Sequence, residues 1–405
     1  MVRTLPLGLE EALKLTLDRV ETLAGVRVEL LEGLNQALAE DILAKVDSPS
    51  IDASLKDGYA VISSEVEGAT RERPVRLRLA DCLAAGERRK VQVRPQTAIR
   101  ILTGAKIPSG ADAVVAEEFT ESKNGFVTVY NNAEPGRNIL PKSSDVAAGQ
   151  MVASKGSIVT PGLAGILAAS GHSRITVVRR QTVAIIATGD EVVAPGRPLP
   201  EGKLYASNMT TLAGWCRRYG MQTLTDVVKD DYEAIYRKLE QQINTADAIV
   251  TSGGAWTGDR DLVAKVLDQL DWQLVFHRIR IGPGKAVGFG ILKHKPVFIL
   301  PGGPPSNLMG FLQIALPGLL KLAGHRHTGL PETNVRLATE LTGRYADWTQ
   351  FIFGTLERDR DAPVFHALIG KSRLRSMAEA QAVVAIPEGK TVMPAGSIVT
   401  AQRLD

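Results

Sequence analysis

Cysteine is almost missing. Cys82 and Cys216 are the whole complement of a 405-residue chain, which excludes a disulfide framework and a cysteine-based metal site. The six histidines are dispersed without ligand spacing, so no zinc pattern can be drawn, and no Ser–His–Asp or Cys–His arrangement can be argued. Aromatics make up only 5%, which weakens the case for a surface that stacks bases. No Lys/Arg block is dense enough to follow a phosphate backbone; Arg88-Arg89-Lys90, after Gly86-Glu87, reads as a solvated turn. No nucleic-acid partner is expected. Long apolar runs are missing as well: the longest candidate, 308–322, carries Gly, Gln and Pro, so no membrane span is expected. Residues 1–19 have scattered charges and no cleavable apolar core. A reducing cytoplasm is the expected compartment.

What is present is ordinary for a globular protein: 44% hydrophobic and 23% charged residues, with a formal net charge of +4. The length predicts two to four domains. Apolar residues recur at helical spacing over 8–23 (Leu9, Leu13, Leu17, Val20) and over 32–44 (Leu34, Leu38, Ile42), predicting two helices. Short apolar stretches at 75–79, 97–102, 113–116 and 126–129 then alternate with Gly, Pro and Asn turns, predicting a β-rich unit over 46–141. A small-residue helix is expected over 162–168. From 178 the rhythm becomes strand–helix: strands at 183–187, 224–228, 248–251, 274–281 and 296–300, with helices at 209–219, 232–243, 262–270 and from Pro305. Such alternation implies a parallel sheet covered on both faces over 178–325. From 326 short strands and turns return, predicting a small C-terminal β domain over 326–405.

In an open parallel sheet, ligands bind outside the carboxyl ends of the strands. The five strand ends here carry Thr188-Gly189-Asp190-Glu191, then Lys229-Asp230-Asp231, then Ser252-Gly253-Gly254 followed by Gly258-Asp259-Arg260-Asp261, then Gly282-Pro283-Gly284-Lys285, and last Pro301-Gly302-Gly303-Pro304-Pro305-Ser306-Asn307. Glycines allow backbone N–H groups to approach an anion, and a helix starting near Pro305 would aim its N-terminus the same way. Lys285 suits a phosphate as a point charge. Glu191, Asp230 and Asp261 are hard oxygen donors suited to Mg²⁺. Any one of them also reads as an N-cap or loop carboxylate; three at successive strand ends point to a cation. An anionic, nucleotide-bearing ligand is therefore expected at this edge. In the β-rich unit, Asp57-Gly58 before Tyr59-Ala60-Val61 reads as a hairpin turn.

Several of these stretches together resemble one family over essentially the whole chain. They are Ser54-Leu55-Lys56-Asp57-Gly58-Tyr59-Ala60, Leu102-Thr103-Gly104-Ala105, Thr188-Gly189-Asp190-Glu191, Ser252-Gly253-Gly254 with Gly258 and Asp261, Pro283-Gly284-Lys285 and Leu300-Pro301-Gly302. Ser372-Arg373-Leu374 and Ser376-Met377-Ala378 with Ala380 look like the family's C-terminal signature. The chain resembles the MoeA family, the molybdopterin molybdenumtransferases of molybdenum-cofactor biosynthesis, which includes the gephyrin E domain.

The resemblance implies a multidomain α/β plus β architecture. A three-layer molybdopterin-binding α/β domain (178–325) with a mostly parallel sheet would be joined to an elongated domain built from 1–45 and 142–177, an inserted β-rich domain (46–141) and a C-terminal β domain (326–405). It implies a homodimer in which the α/β domain of one subunit faces the β-rich domain of the other. Adenylylated molybdopterin would bind there, and molybdate or tungstate would be inserted with Mg²⁺-dependent release of AMP. Other enzymes of the pathway would hand over substrate and accept product. Glu191, Asp230 and Asp261 would hold the metal, and Asp57 and Thr103 would come from the partner subunit. Thr188, Gly189, Asp190, Ser252, Gly253, Gly254, Lys285, Pro301, Gly302 and Ser376 would line the substrate site.

The sequence departs from the family at Trp256 (usually Ser), Gly282 (usually Lys), Gly303 (usually Asn), Lys56 (usually Met), Leu140 and Ser144 (usually Arg and Glu), and near Phe353-Gly354, where an Arg is usual. Several of these changes remove a donor or a charge from the oxyanion side, while the carboxylates are intact. Two other readings stay open: a non-catalytic molybdopterin-binding paralogue or scaffold, and an enzyme like the molybdopterin adenylyltransferases. The domains beyond the α/β unit weigh against the latter.

Overall fold

The computed structural model describes residues 7–87, 89–253, 262–368 and 373–405. The central sheet has six strands: β1 (Thr182–Thr188), β2 (Gln222–Val228), β3 (Ala248–Ser252), β4 (Gln273–His277), β5 (Gly288–Leu292) and β6 (Lys295–Leu300). Across the sheet they lie in the order β2-β1-β3-β6-β5-β4. The first four are parallel, with Ile185 opposite both Thr225 and Val250. The apolar runs of β1, β3 and β6 follow from burial on both faces, whereas the edge strand β2 is more polar and largely exposed. In β1 the two-residue period sends Val183, Ile185 and Ala187 into one core and Ala184 and Ile186 into the other. Helix α3 (Ser207–Arg218) covers the first face, and α4 (Tyr232–Thr245) and α5 (Leu262–Gln269) cover the second.

The far edge is not parallel. β5 and β6 form a hairpin whose two turn residues, Lys293 and His294, both have positive φ (46° and 65°), as a tight two-residue connection requires. β4 pairs antiparallel with β5, so it points the same way as the four parallel strands. The apolar run at 274–281 is therefore two pieces. It breaks at Arg278 (φ 70°), after which Ile281–Gly282 leaves the sheet and pairs with Thr349–Gln350.

That second pairing reaches a closed barrel. Strands Thr349–Glu357, Val364–Ala367, Glu332–Leu337, Ile398–Arg403 and Ala382–Ile386 neighbour one another in that order, and the last returns to pair with the first, which removes exposed strand edges. The β-rich unit holds its own six-stranded sheet. From one edge it runs Ala113–Ala116, Gly58–Val61, Thr97–Ile101, Val75–Leu83, Phe126–Val129 and Thr120–Lys123, with an apolar core on each face. The chain on either side of this unit is joined by antiparallel pairs, Gly25–Glu29 with Arg174–Val178 and Ile42–Leu43 with Met151–Ala153.

Two expectations for the N-terminal region need correction. Helix α1 (Leu9–Arg19) forms, but Leu7, Ala12 and Val20 bury themselves in the core of the α/β sheet. Residues 32–44 are not helical. Asn35 takes φ 63°, and the amides of Asn35 and Leu38 donate to Val159 and Ser157 (3.0 and 2.9 Å), so the backbone is committed across the chain rather than along a helix. Leu38 and Ile42 still reach a core, shared with Val159 and with Leu167 of helix α2 (Pro161–Ala169). Among the described residues no helix is long and apolar enough to cross a membrane.

The entries of β1 and β3 are tied by one ion pair. Asp247 accepts from Arg179 Nη1 and from the Thr182 amide, both at 2.9 Å. Burial opposes its ionisation, but the Arg179 guanidinium and the Thr182 N–H outweigh that and hold the carboxyl below its usual range. Arg179 is 40% exposed, so Asp247→Asn is expected to cost about 1–2 kcal/mol, below the full value of a buried charged bond. Because the folded-state pKa is the lower one, this stability is present above about pH 4 and is lost as pH falls through the folded value. Denaturant titrations at neutral pH and near pH 3 should show the wild-type advantage shrinking on acidification; an advantage that grows would contradict the assignment.

Candidate functional site

The carboxyl ends of the sheet strands build two chemically different regions on one edge. At the β1 and β2 end the residues are acidic. Gly189 takes φ 147°, and its amide bonds to the Val228 carbonyl at 3.2 Å. A Cβ there would lie 2.7 Å from the Glu191 carboxylate, so the glycine lets that carboxylate fold back over the strand end. Asp231 caps α4 by accepting the Ala234 amide at 2.8 Å, while Asp230 joins the acidic cluster. Burial, then the charges of Asp190 and Glu191, push the Asp230 carboxyl above its usual range. The Lys203 ammonium bonds to the backbone carbonyl of Asp190 at 2.6 Å. Thr188 Oγ is buried and has no hydrogen-bond partner among the described residues.

The middle of the edge is a polar lock. At the end of β3, Ser252 is buried and its Oγ accepts from Asn307 Nδ2 at 3.0 Å and from Asn208 Nδ2 at 3.3 Å. The same two carboxamides donate to the Pro301 carbonyl (2.9 Å) and the Gly302 carbonyl (2.8 Å) beyond β6. Gly253, at φ 108°, passes so close to β1 that a Cβ would collide with the Thr188 carbonyl. Its N–H donates to the Leu300 carbonyl at 3.0 Å. The expectation that Gly253 offers a bare N–H to an anion is thus corrected: that donor is already used inside the sheet. The helix after β6, α6 (Pro304–Gly310), starts with two prolines, which lack the N–H groups an anion would bind. Positive charge at this edge must come from side chains.

It does so past β4. The turn from Arg278 to Lys285 is closed by bonds from the Arg278 amide to Val287 and from the Ile279 amide to Lys285 (2.9 and 3.0 Å). It borders a cavity of about 640 Å³ whose wall includes Arg278, Gly282, Lys285, Gly302, Ser306 and Trp348. Lys285, Pro301 and Gly302 therefore share one space. Arg280 points elsewhere, pairing with Glu388 (3.2 Å) and bonding to the Asp347 carbonyl (2.9 Å).

Asp57 and Thr103 meet within the β-rich unit: Asp57 Oδ1 accepts the Thr103 amide and hydroxyl, each at 2.7 Å. Those two bonds hold the carboxyl below its usual range. Among the described residues no hydrogen bond or ion pair joins this pair to the α/β edge. Ser376 lies on the short helix Arg373–Glu379, which packs against α6. Gly254, Trp256, Gly258, Asp259, Arg260, Asp261 and Ser372 lie outside the described residues. Among those that are described, no three His, Cys, Asp or Glu side chains are grouped to hold a metal. Asn208, Asn307 and Trp348 receive no role from sequence; the visible signal for Asn307 is a lone carboxamide ahead of an apolar helix stretch.

Residues 7–171 match the family model described as MoeA N-terminal region (domain I and II), and residues 184–321 match that of a probable molybdopterin binding domain. A molybdopterin molybdenumtransferase 2 of Mycobacterium tuberculosis is 31% identical over 396 residues, covering 96% of this chain and 98% of its own. The chain belongs to the MoeA family. A molybdopterin molybdenumtransferase of Staphylococcus epidermidis is 28% identical over 397 residues, with 97% of this chain and 94% of that protein covered. The crystal structure of a molybdopterin biosynthesis MoeA protein from Pyrococcus horikoshii superposes with a TM-score of 0.80 at 32% identity, covering 98% of this chain and 99% of the other. What the chain shares with the MoeA family is the handling of molybdopterin in molybdenum-cofactor biosynthesis.

The lock is testable by stability. Asn307→Ala leaves the Pro301 carbonyl and one lone pair of Ser252 without their buried donor, and about 2–3 kcal/mol of unfolding free energy should be lost. Asn307→Asp should cost more, because a carboxylate donates to neither oxygen. Chemical denaturation measures both; a loss below about 1 kcal/mol for the alanine variant would show that the lock is dispensable.

Proposed function

We propose that this MoeA-family protein inserts molybdate or tungstate into adenylylated molybdopterin and releases AMP. The observation that carries the reading is the juxtaposition, on one sheet edge, of an acidic cluster (Asp190, Glu191, Asp230) and a cavity holding Arg278 and Lys285. Opening a phosphoanhydride needs a divalent cation, which carboxylates hold, and accepting an oxyanion needs cationic side chains. An edge with an acidic and a basic end, separated by the Ser252–Asn307 lock, supplies both.

The acidic end suits Mg²⁺. Its donors are hard carboxylate oxygens, and the crowding that raises the Asp230 pKa is relieved by a divalent cation. Glu191 and Asp230, with Asp261, are the residues that would hold it; when bound it would neutralise charge on the phosphoryl oxygens. Thr188, whose buried hydroxyl lacks a partner among the described residues, and the Gly189-Asp190 turn would orient the phosphates. Ser252, Gly253, Pro301 and Gly302 would shape the floor of the site, and Ser376, on the short helix Arg373–Glu379 beside α6, would border it. Lys285 would attract the oxyanion. Asp57 and Thr103, bonded to each other within the β-rich unit, would be brought to the site by the second subunit of a homodimer.

The glycines at 282 and 303 favour one second reading, a paralogue that binds adenylylated molybdopterin without turning it over. Mixing inactive variants separates the two. Asp57→Asn and Asp230→Asn homodimers should each be inactive, and after subunit exchange about one quarter of wild-type AMP release should return, since half the dimers are mixed and each carries one intact site. No recovery in verified heterodimers would rule out a site built from two chains. Chelation of divalent cations should abolish the release and added Mg²⁺ restore it. A binding-only protein would show neither effect.

A further inference from the structure

The β-rich unit carries a cavity of its own, of about 640 Å³. Its floor is aliphatic, made by Ile51, Leu83, Val91 and Ile107. Its rim carries Arg89, Lys90 and Lys106, with Glu87 as the one carboxylate among the described lining residues. In the sequence Arg89-Lys90 reads as part of a solvated turn; the fold makes it a wall.

That wall is held from behind. Arg89 Nη1 pairs with Asp81 at 3.2 Å, and its Nη2 bonds to the Cys82 carbonyl at 2.7 Å and to Glu87 at 2.9 Å. One guanidinium therefore draws the loop after strand Val75–Leu83 back onto that strand and neutralises Glu87. On the opposite wall the Ile107 amide donates to the Asp52 carbonyl at 3.0 Å, and the Ser109 hydroxyl crosses to the Val91 carbonyl at 3.3 Å. The Leu83 carbonyl accepts the Leu102 amide at 3.0 Å, so the floor is continuous with the turn that presents Thr103 to Asp57. The space is preformed, and its volume is that of a small-molecule site.

Charge selects the occupant. Lys90 and Lys106 are exposed, and no side-chain hydrogen bond or ion pair holds either of them among the described residues. With Glu87 taken up by Arg89, the rim is cationic. The described lining offers no aromatic face to stack a base, and its one hydroxyl proton, on Ser109, is already donated.

We propose that this cavity binds a small organic anion, with a phosphate or carboxylate head between Lys90 and Lys106 and an apolar body on Ile51, Leu83, Val91 and Ile107. The two ammonium groups attract either head as point charges. A body the size of a benzene ring or larger removes the aliphatic floor from water. The transferase reading neither requires nor excludes such an occupant.

Isothermal titration of the full chain with phenyl phosphate and with benzoate tests this, under chelation so that no cation occupies the acidic edge. At least one of them should bind about tenfold or more tightly than inorganic phosphate, which has the head alone, and than phenol, which has the body alone. The tighter of the two identifies the head group. Replacing both lysines, Lys90→Gln with Lys106→Gln, should raise the Kd about tenfold. Ile51→Ser, at a half-buried side chain outside the two apolar cores of the unit, should raise it about three- to fivefold. Lys123→Gln, a loss of charge on the edge strand Thr120–Lys123, should leave Kd within about twofold. If both probes bind no better than inorganic phosphate and phenol, the cavity takes no such ligand and the proposal falls. If a probe binds but either the double lysine variant or Ile51→Ser, with its melting temperature retained, leaves Kd within about twofold, head or body is seated elsewhere and the proposal is overturned.

Discussion

The buried carboxamide of Asn307 reaches the ends of two neighbouring parallel strands at once, Ser252 Oγ at the end of β3 and the Pro301 carbonyl beyond β6. Asn307 is 1% exposed, so without it the Pro301 carbonyl would pay the desolvation of an orphan acceptor, and Ser252 Oγ would keep only the longer bond from Asn208. With β3 and β6 fixed in this way, Gly253 can run against the Thr188 carbonyl, and Thr188 in turn leads into the acidic turn at Asp190-Glu191. On the other side Gly302 is held by Asn208 and closes the wall of the cationic cavity. Both ends of the site hang on this lock.

The basic end belongs to two folding units. Ile281–Gly282 leaves the α/β sheet to pair with the barrel, and Arg280 crosses to Glu388. Small-molecule sites favour such junctions, and this one explains why Trp348, distant in sequence, borders the same space as Lys285. The indole of this wall is delivered by the chain entering the C-terminal barrel and not by the sheet.

Much of the fold is legible in the sequence because the signals are local. The strand–helix rhythm from 178 onward and the strands near 75–79, 113–116 and 126–129 rest on periodicity and turn residues, and they appear where those signals lie. Residues 32–44 mislead, since Leu34, Leu38 and Ile42 keep helical spacing while the amides of Asn35 and Leu38 pair across to the 157–159 segment; periodicity reports burial, not hydrogen-bond partners. The break at Arg278 is equally hidden, because a positive φ at an arginine has no composition signal. For the site, the gathering of acidic residues beside Glu191 and of Lys285 with Gly302 follows from the strand-end rule. The commitment of the Gly253 N–H to Leu300 and the lock formed by Asn208 and Asn307 depend on tertiary contacts, which spacing along the chain does not encode.

In the proposed reaction one edge couples an acidic, cation-suited end to a cationic cavity, so that oxyanion capture drives release of the nucleotide. The most direct measurement is AMP release from adenylylated molybdopterin by the purified protein with Mg²⁺, with and without molybdate or tungstate. Release that rises with oxyanion concentration and saturates is the predicted result. Tight binding of the adenylylated substrate with no release at any oxyanion concentration would contradict it.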